Sequence, residues 1–254
     1  MDRSLPDGIK TAECPQHGPF ESRNIIRNVW SSCPACVAEK REAERIEDER
    51  RQREAQEQQH RKMLGAAAIP ARFIGRTFEN FRADTDAKRH ALTVARSFAE
   101  DFAEMSEKGQ GLIFSGLPGT GKSHLAAAIL QQLLKRQVRY TTCMDLIRAV
   151  RETWRKDSEK SENQVLAYLE GLDLLVIDEM GVQYGTDGEQ TILFDVLDRR
   201  YREVRPTILL TNQDKNGLKG YVGDRIFDRL AETCRWVPFD WPSYRPTARK
   251  EATQ

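Results

Sequence analysis

The sequence predicts an α/β protein: a parallel β-sheet sandwiched by helices, preceded by a small cysteine-bearing module and a charged helix. Three observations predict it. From Ile69 onward, apolar helical patterns alternate with short apolar runs. One run passes through a glycine-rich loop into a helix, and two others, Leu174 to Ile177 and Thr207 to Leu210, are almost wholly apolar, as strands buried on both faces are.

Taken in order, residues 1–37 are rich in Cys, Pro and His and hold too few apolar residues for a core of their own, so another agent must hold them. From Ala38 to about Leu64 the chain is a near-continuous series of Glu, Arg, Gln, Lys and Ala, as in Glu49-Arg50-Arg51-Gln52-Arg53-Glu54-Ala55. Good helix formers with opposite charges three or four apart predict a solvated helix. Its apolar content is too sparse for a coiled-coil seam, which leaves a helical linker over 38–68 or a helix that binds a partner. The main domain is expected over 69–254. Gly111 to Ser115 reads as a strand, Ser123 to Leu130 as a helix and Val138 to Cys143 as a second strand. Helices are expected over Asp145 to Trp154 and Asn163 to Leu169, then a buried strand over Leu174 to Ile177. A helix over Glu189 to Arg202 and a strand over Thr207 to Leu210, ending at Thr211-Asn212, complete a βαβ order throughout.

Bulk properties narrow the class. The 254 residues are 31% charged and 39% hydrophobic, a polar balance that still leaves one good core, and no internal repeat suggests a solenoid. No apolar run approaches the roughly 18–20 residues of a membrane span, and Met1 to Lys10 lacks a signal-peptide stretch, so a cytoplasmic protein without membrane contact is expected. The net charge of +1 does not decide for or against nucleic acid, which a local basic strip would bind.

Gly116-Leu117-Pro118-Gly119-Thr120-Gly121-Lys122-Ser123 matches G-x-x-x-x-G-K-[ST], between a strand and a helix. Glycines let successive backbone N–H groups curl around an anion, and the helix that follows turns its positive end to the same phosphates. The pattern predicts a P-loop for ATP. Gly116, Gly119, Thr120, Gly121, Lys122, Ser123 and His124 are its nucleotide-binding residues, with Lys122 on the β and γ phosphates and Ser123 on Mg²⁺. Asp178 and Glu179 follow the strand Leu174 to Ile177, at the edge where open α/β sheets bind ligands. Asp178 is the second Mg²⁺ partner and Glu179 the base for an attacking water. Asn212, ending the next strand, is placed to reach that water or the γ-phosphate.

Five cysteines, three of them within the first 36 residues, suit a metal better than a disulfide framework. Cys14-Pro15-Gln16-His17 and Cys33-Pro34-Ala35-Cys36 are two x₂-spaced pairs, which fits a structural Cys₃His zinc site; the alternative is unconnected thiols. Cys143 and Cys234 are read as ordinary buried thiols.

Several strings resemble one family: the P-loop, Asp173 to Gln183, Asp198-Arg199-Arg200-Tyr201, Leu210-Thr211-Asn212, Gly223 to Leu230 and Asp240 to Arg245. Over roughly Phe78 to Arg245 the chain is similar to the DnaC-type replicative helicase loaders of bacteria and their phages. These are AAA+ P-loop NTPases related to the initiator DnaA and the IstB-type transposition helpers. The resemblance implies an ATPase that assembles into a ring or spiral, each site completed by a neighbour's arginine. Arg229 matches that arginine finger, Arg225 supports the interface, and Arg245 matches a second sensor that contacts nucleotide in its own subunit. Without the resemblance, Arg225 and Arg229 read as surface ion pairs with Asp224 and Asp228. It also implies single-stranded DNA on the inner side of the assembly. Trp154, among Arg148, Arg151, Arg155 and Lys156, is a candidate for base stacking or else a core residue; Tyr184 and Thr186 are further DNA candidates. The N-terminal Cys₃His set departs from the best-known loaders and suits phage-type or prophage-type members. Nine residues follow Arg245, so a reduced C-terminal lid is expected. The function expected is a loader of the hexameric replicative helicase, the N-terminal module and charged helix meeting that helicase. An IstB-type transposition helper and a non-hydrolysing nucleotide switch or adaptor are the alternatives.

Overall fold

The computed structural model describes residues 8–26, 29–181 and 187–244. The chain falls into two compact units, Met1–His60 and Arg61–Gln254. In the first, β1 (Ile9–Cys14) and β2 (Gly18–Ile26) form an antiparallel hairpin, and β3 (Val29–Trp30) adds to β2. This sheet is not evident in the sequence. Its buried residues are Cys14 and Ser22, with Cys33 beside the sheet, so no apolar alternation announces it. Helix α1 (Pro34–Ala66) opens on a proline, whose missing N–H costs nothing at that position, and none of its residues is fully buried. Ladders such as Arg51 to Glu47 at 3.1 Å and Arg53 to Glu57 at 3.2 Å run along it, as expected of a solvated helix.

The second unit is a five-stranded parallel sheet between two helical layers. Its elements are α2 (Asp86–Glu100), α3 (Phe102–Glu107), β4 (Gly111–Gly116), α4 (Lys122–Gln132), β5 (Val138–Thr142), α5 (Cys143–Glu152) and α6 (Glu162–Gly171). There follow β6 (Leu174–Met180), α7 (Asp187–Arg202), β7 (Thr207–Thr211), α8 (Lys215–Val222), α9 (Asp224–Thr233) and β8 (Cys234–Phe239). The strand order is β5-β6-β7-β4-β8, every pair parallel. The period of two along each strand divides the core. Leu112, Phe114, Val176, Leu210 and Phe239 pack under α2 and α4, while Ile113, Leu175, Ile177 and Leu209 pack under α5 to α9. The predicted α/β architecture, a parallel sheet sandwiched by helices, is what the chain adopts.

Three details differ from the sequence reading. Cys143 opens α5 instead of ending β5, because the Thr142 side chain caps that helix on the N–H of Asp145 at 3.1 Å. Trp154 lies beyond the end of α5. β8, an element absent from the sequence reading, carries Pro238, tolerated because β8 is an edge strand. Among the described residues no helix follows β8, and none is long and apolar enough to cross a membrane.

Candidate functional site: a phosphate cradle and a separate cysteine cluster

Strand order builds the site. β7 lies between β4, which feeds the glycine loop, and β6, which ends in the acidic pair; its end therefore carries Asn212 into the gap between them. At Gly116, with φ of 146°, an added Cβ would sit 2.1 Å from the Phe239 carbonyl oxygen. At Gly121, with φ of 101°, it would meet the Phe81 ring at 2.7 Å. Both positions require glycine. α4 begins at Lys122, so its first N–H groups open toward the loop.

Lys122 is buried, and its Nζ donates to Gly116 O at 2.6 Å, Leu117 O at 2.8 Å and Asn212 Oδ1 at 2.9 Å. Those partners hold the ammonium over the cradle. Ser123 Oγ donates to Asp178 Oδ2 at 2.8 Å, joining the P-loop to the acidic strand. Hard oxygen donors so placed fit Mg²⁺. The other Asp178 oxygen, Oδ1, accepts the Glu179 N–H at 2.7 Å, and the Tyr140 phenol donates to Oδ2. Burial first, and then the Asp178 charge, push the Tyr140 pKa well up, so the phenol keeps its proton. Glu179 is exposed and has a left-handed φ of 62°, at the point where β6 loses register with β7 between Ile177 and Met180. A non-glycine residue in that region is strained, and such strain gathers at functional sites.

A cavity of about 610 Å³ opens here, walled by the cradle, the acidic pair and Asn212, and on its far side by Arg72, Phe73 and Phe81. His124 lines it too. Its Nε2 donates to Thr77 O at 2.8 Å and its ring meets Phe81 edge-on at 5.3 Å, with burial lowering its pKa. Two residues act as a strap that sequence reasoning did not single out. The Trp241 indole donates to Thr120 O at 2.9 Å and the Tyr244 N–H to Gly119 O at 2.9 Å. Both stand in the string that carried the resemblance, but nothing local announces that they reach the loop.

Arg225 and Arg229 sit on α9, outside the described lining of the chain's own cavity. Arg229 forms an ion pair with Asp198 of its own chain, not with Asp228, and lies over the Tyr201 ring at 4.8 Å. Arg225 is exposed, its guanidinium over Phe194 at 5.2 Å. Trp154 is 58% exposed, which removes the core alternative, and its Nε1 donates to Glu162 at 2.5 Å. Around it Arg151 pairs with Glu189 at 3.3 Å and Arg155 with Asp157 at 3.2 Å. Tyr184, Thr186 and Arg245 lie outside the described residues. Of the two remaining thiols Cys143 is buried as expected, whereas Cys234 is only half-buried as a residue; desolvation pushes its thiol up to about 11.

In the first unit the two x₂ pairs converge. Cys14 and His17 flank the hairpin turn, Cys33 and Cys36 the start of α1, and their ligand atoms all lie within 4.8 Å of one another. His17 Nδ1 stands 3.7, 3.8 and 3.3 Å from the sulfurs of Cys14, Cys33 and Cys36. Ligands at about 2.0–2.3 Å from one tetrahedral ion stand roughly 3.5 Å apart, so this set fits zinc. His17 Nε2 donates to Glu39 at 2.9 Å, the outer contact that orients a metal-binding imidazole through its other nitrogen. The Cys14 thiol is drawn down to about 6 by the Gln16 backbone N–H and then by His17, whereas the Cys36 thiol beside it is pushed up, first by its hydrogen bond to Cys14.

Comparison with known proteins agrees with this architecture. Residues 38–252 match the model of the IstB-like ATP binding proteins, a match that begins just after the cysteine cluster. The replicative helicase loader DnaC of Escherichia coli strain K12 is 42% identical over 172 residues, 66% of this chain and 69% of that one. The DnaC loader of Buchnera aphidicola subsp. Schizaphis graminum is 34% identical over 227 residues, 88% of this chain and 91% of that one. A crystal structure of the DnaC helicase loader has a TM-score of 0.61 at 22% identity, over 66% of this chain and 98% of that chain, a likeness of fold. A glycine cradle facing an acidic strand across an inserted strand, on a chain so related, makes this protein a member of the IstB-like ATP-binding family, in the AAA+ group of the DnaC helicase loaders.

Proposed function

We propose that this protein is an ATPase that loads the replicative DNA helicase onto single-stranded DNA. The observation that carries the reading is the convergence of Lys122, Ser123, Asp178, Glu179 and Asn212 on one cavity, in a chain related to the DnaC loaders. Lys122 leaves its carbonyl partners for the β and γ phosphates, while Ser123 and Asp178 hold Mg²⁺. When bound, the ion offsets charge on the phosphate oxygens. Glu179 takes the proton of the attacking water and Asn212 orients that water or the γ-phosphate. Arg245 contacts nucleotide in its own subunit. Arg229, released from Asp198 and assisted by Arg225, completes a neighbour's site, so assembly into a ring or spiral and hydrolysis are coupled. Trp154 stacks on a DNA base, with Tyr184 and Thr186 beside the strand.

Residues 1–37 form a zinc module, 38–68 a helical arm and 69–254 the ATPase domain; the module and arm engage the helicase in the cytoplasm. Co-purification of the full chain with the replicative helicase, and loss of that complex on deleting residues 1–64, is the expected result; a chain that neither binds the helicase nor delivers it to single strands overturns the proposal. Turnover in a mixture of Arg229→Ala and Lys122→Ala, each inactive alone, is expected from trans completion, and full activity of Arg229→Ala by itself contradicts it. The family match to IstB-like proteins favours a transposition helper as the second reading. A filament on duplex DNA formed without any helicase would select it. ATP turnover unchanged in Glu179→Gln would instead favour a nucleotide switch.

A further inference from the structure

We infer that Tyr140 is a positioning residue of the magnesium site, its phenol holding the Asp178 carboxylate in the rotation that lets Ser123 face the ion. The inference rests on the reading of Ser123 and Asp178 as the magnesium pair. A carboxylate at the end of a strand turns readily about its last bond, whose torsional wells are broad. In Asp178 both oxygens are tethered. Oδ1 takes the Glu179 N–H at 2.7 Å, and Oδ2 takes the Ser123 hydroxyl at 2.8 Å together with the Tyr140 phenol. A serine hydroxyl has one proton and two lone pairs. With its proton fixed on Oδ2, Ser123 has its lone pairs free for a cation in the cavity; a carboxylate that turns away takes that orientation with it.

Tyr140 is itself firmly placed. It pairs with Val176 in parallel register, two residues before Asp178 on the neighbouring strand, and is 4% exposed. Its backbone N–H donates to Ala67 O at 2.8 Å, and its ring leans on Phe73 at 6.2 Å between centroids. A buried phenol requires an acceptor, and a backbone carbonyl would satisfy it. Here the acceptor is the carboxylate of the proposed metal pair, which ties the placement of β5 to the ion.

The test compares the affinity of the full chain for a fluorescent ATP analogue in Mg²⁺ and in EDTA, with Mn²⁺ binding followed by electron paramagnetic resonance in the presence of ADP. Tyr140→Phe is expected to lose about tenfold of the Mg²⁺-dependent tightening and of Mn²⁺ affinity, the scale of one hydrogen bond to a charged group. Its affinity in EDTA stays within about twofold of the wild type, as expected of a group that acts only through the carboxylate. Equal tightening in variant and wild type, or an equal loss in EDTA, overturns the inference. A wild-type chain whose affinity ignores Mg²⁺ overturns the magnesium reading itself, and this inference with it. Should Tyr140→Phe fail to fold, Phe73→Leu carries the test: it keeps the phenol but loosens its support, and an unchanged ratio of Mg²⁺ to EDTA affinities overturns the inference.

Discussion

Replacing Glu179 with glycine should make the protein more stable and inactive at once. Glu179 holds a left-handed φ of 62° with its side chain exposed, so its removal relieves backbone strain without opening a void. A left-handed conformation costs an L-residue about 1–2 kcal/mol. Glycine avoids that cost but gives back roughly 0.5–1 kcal/mol through its greater freedom in the unfolded chain. The net gain is about 0.5–1 kcal/mol, and in a unit of this size each kcal/mol moves the melting midpoint by about 2–4 °C. Glu179→Gly should therefore melt about 1–4 °C higher, measured without nucleotide so that ligand linkage is absent. Glu179→Gln keeps the Cβ and the φ, and should melt within about 1 °C of the wild type. Both should lose about 10²–10⁴-fold in phosphate release if Glu179 is the base. A glycine variant that melts lower, with an unchanged urea m-value, would refute the strain argument; a glutamine variant with full turnover would refute the base.

Other outcomes follow from particular contacts. Gly116→Ala places a Cβ 2.1 Å from Phe239 O, so β4 and β8 must part; soluble yield and ATP affinity should collapse together, and a normal melting curve would contradict this. Cys33→Ser should abolish one equivalent of zinc by elemental analysis while leaving the second unit's nucleotide affinity intact; a wild-type preparation without stoichiometric zinc would end the metal assignment. Trp154→Ala should weaken single-stranded DNA binding by about 1–3 kcal/mol. Because Trp154 is 58% exposed, its loss should leave the thermal midpoint unchanged.

Legibility in the sequence followed how local each determinant is. β6 and β7 announce themselves through the apolar runs Leu174 to Ile177 and Ile208 to Leu210, which are buried on both faces, and the P-loop because its glycines answer to a fixed local geometry. α1 could be read from charge spacing alone, and the metal ligands from their two pairs. β1 to β3 could not, since their interior is thiol and hydroxyl, and β8 was disguised by Pro238 at a sheet edge. Within the site, Asp178, Ser123 and Asn212 stand at element ends and were legible. Tyr140, Trp241 and Tyr244 were not: each acts on a residue distant in the chain, and that meeting is decided by strand order, which no short window encodes. The pairing of Arg229 with Asp198 instead of Asp228 has the same origin, an interhelical contact preferred over an adjacent charge on the same helix.

The position of β4 also governs when a newly made chain becomes competent. Its two sheet neighbours are β7 and β8, and the register Gly111 to Cys234 joins residues synthesised roughly 120 positions apart. At about 5–20 residues per second, the ribosome supplies that last strand some 6–25 s after the phosphate loop has been made. Until then the loop has neither the wall formed by Phe239 nor the tethers from Trp241 and Tyr244. Until β8 and the segment to Tyr244 have emerged, a nascent chain therefore presents an unfinished cradle, and ATP has a formed site to bind only afterwards.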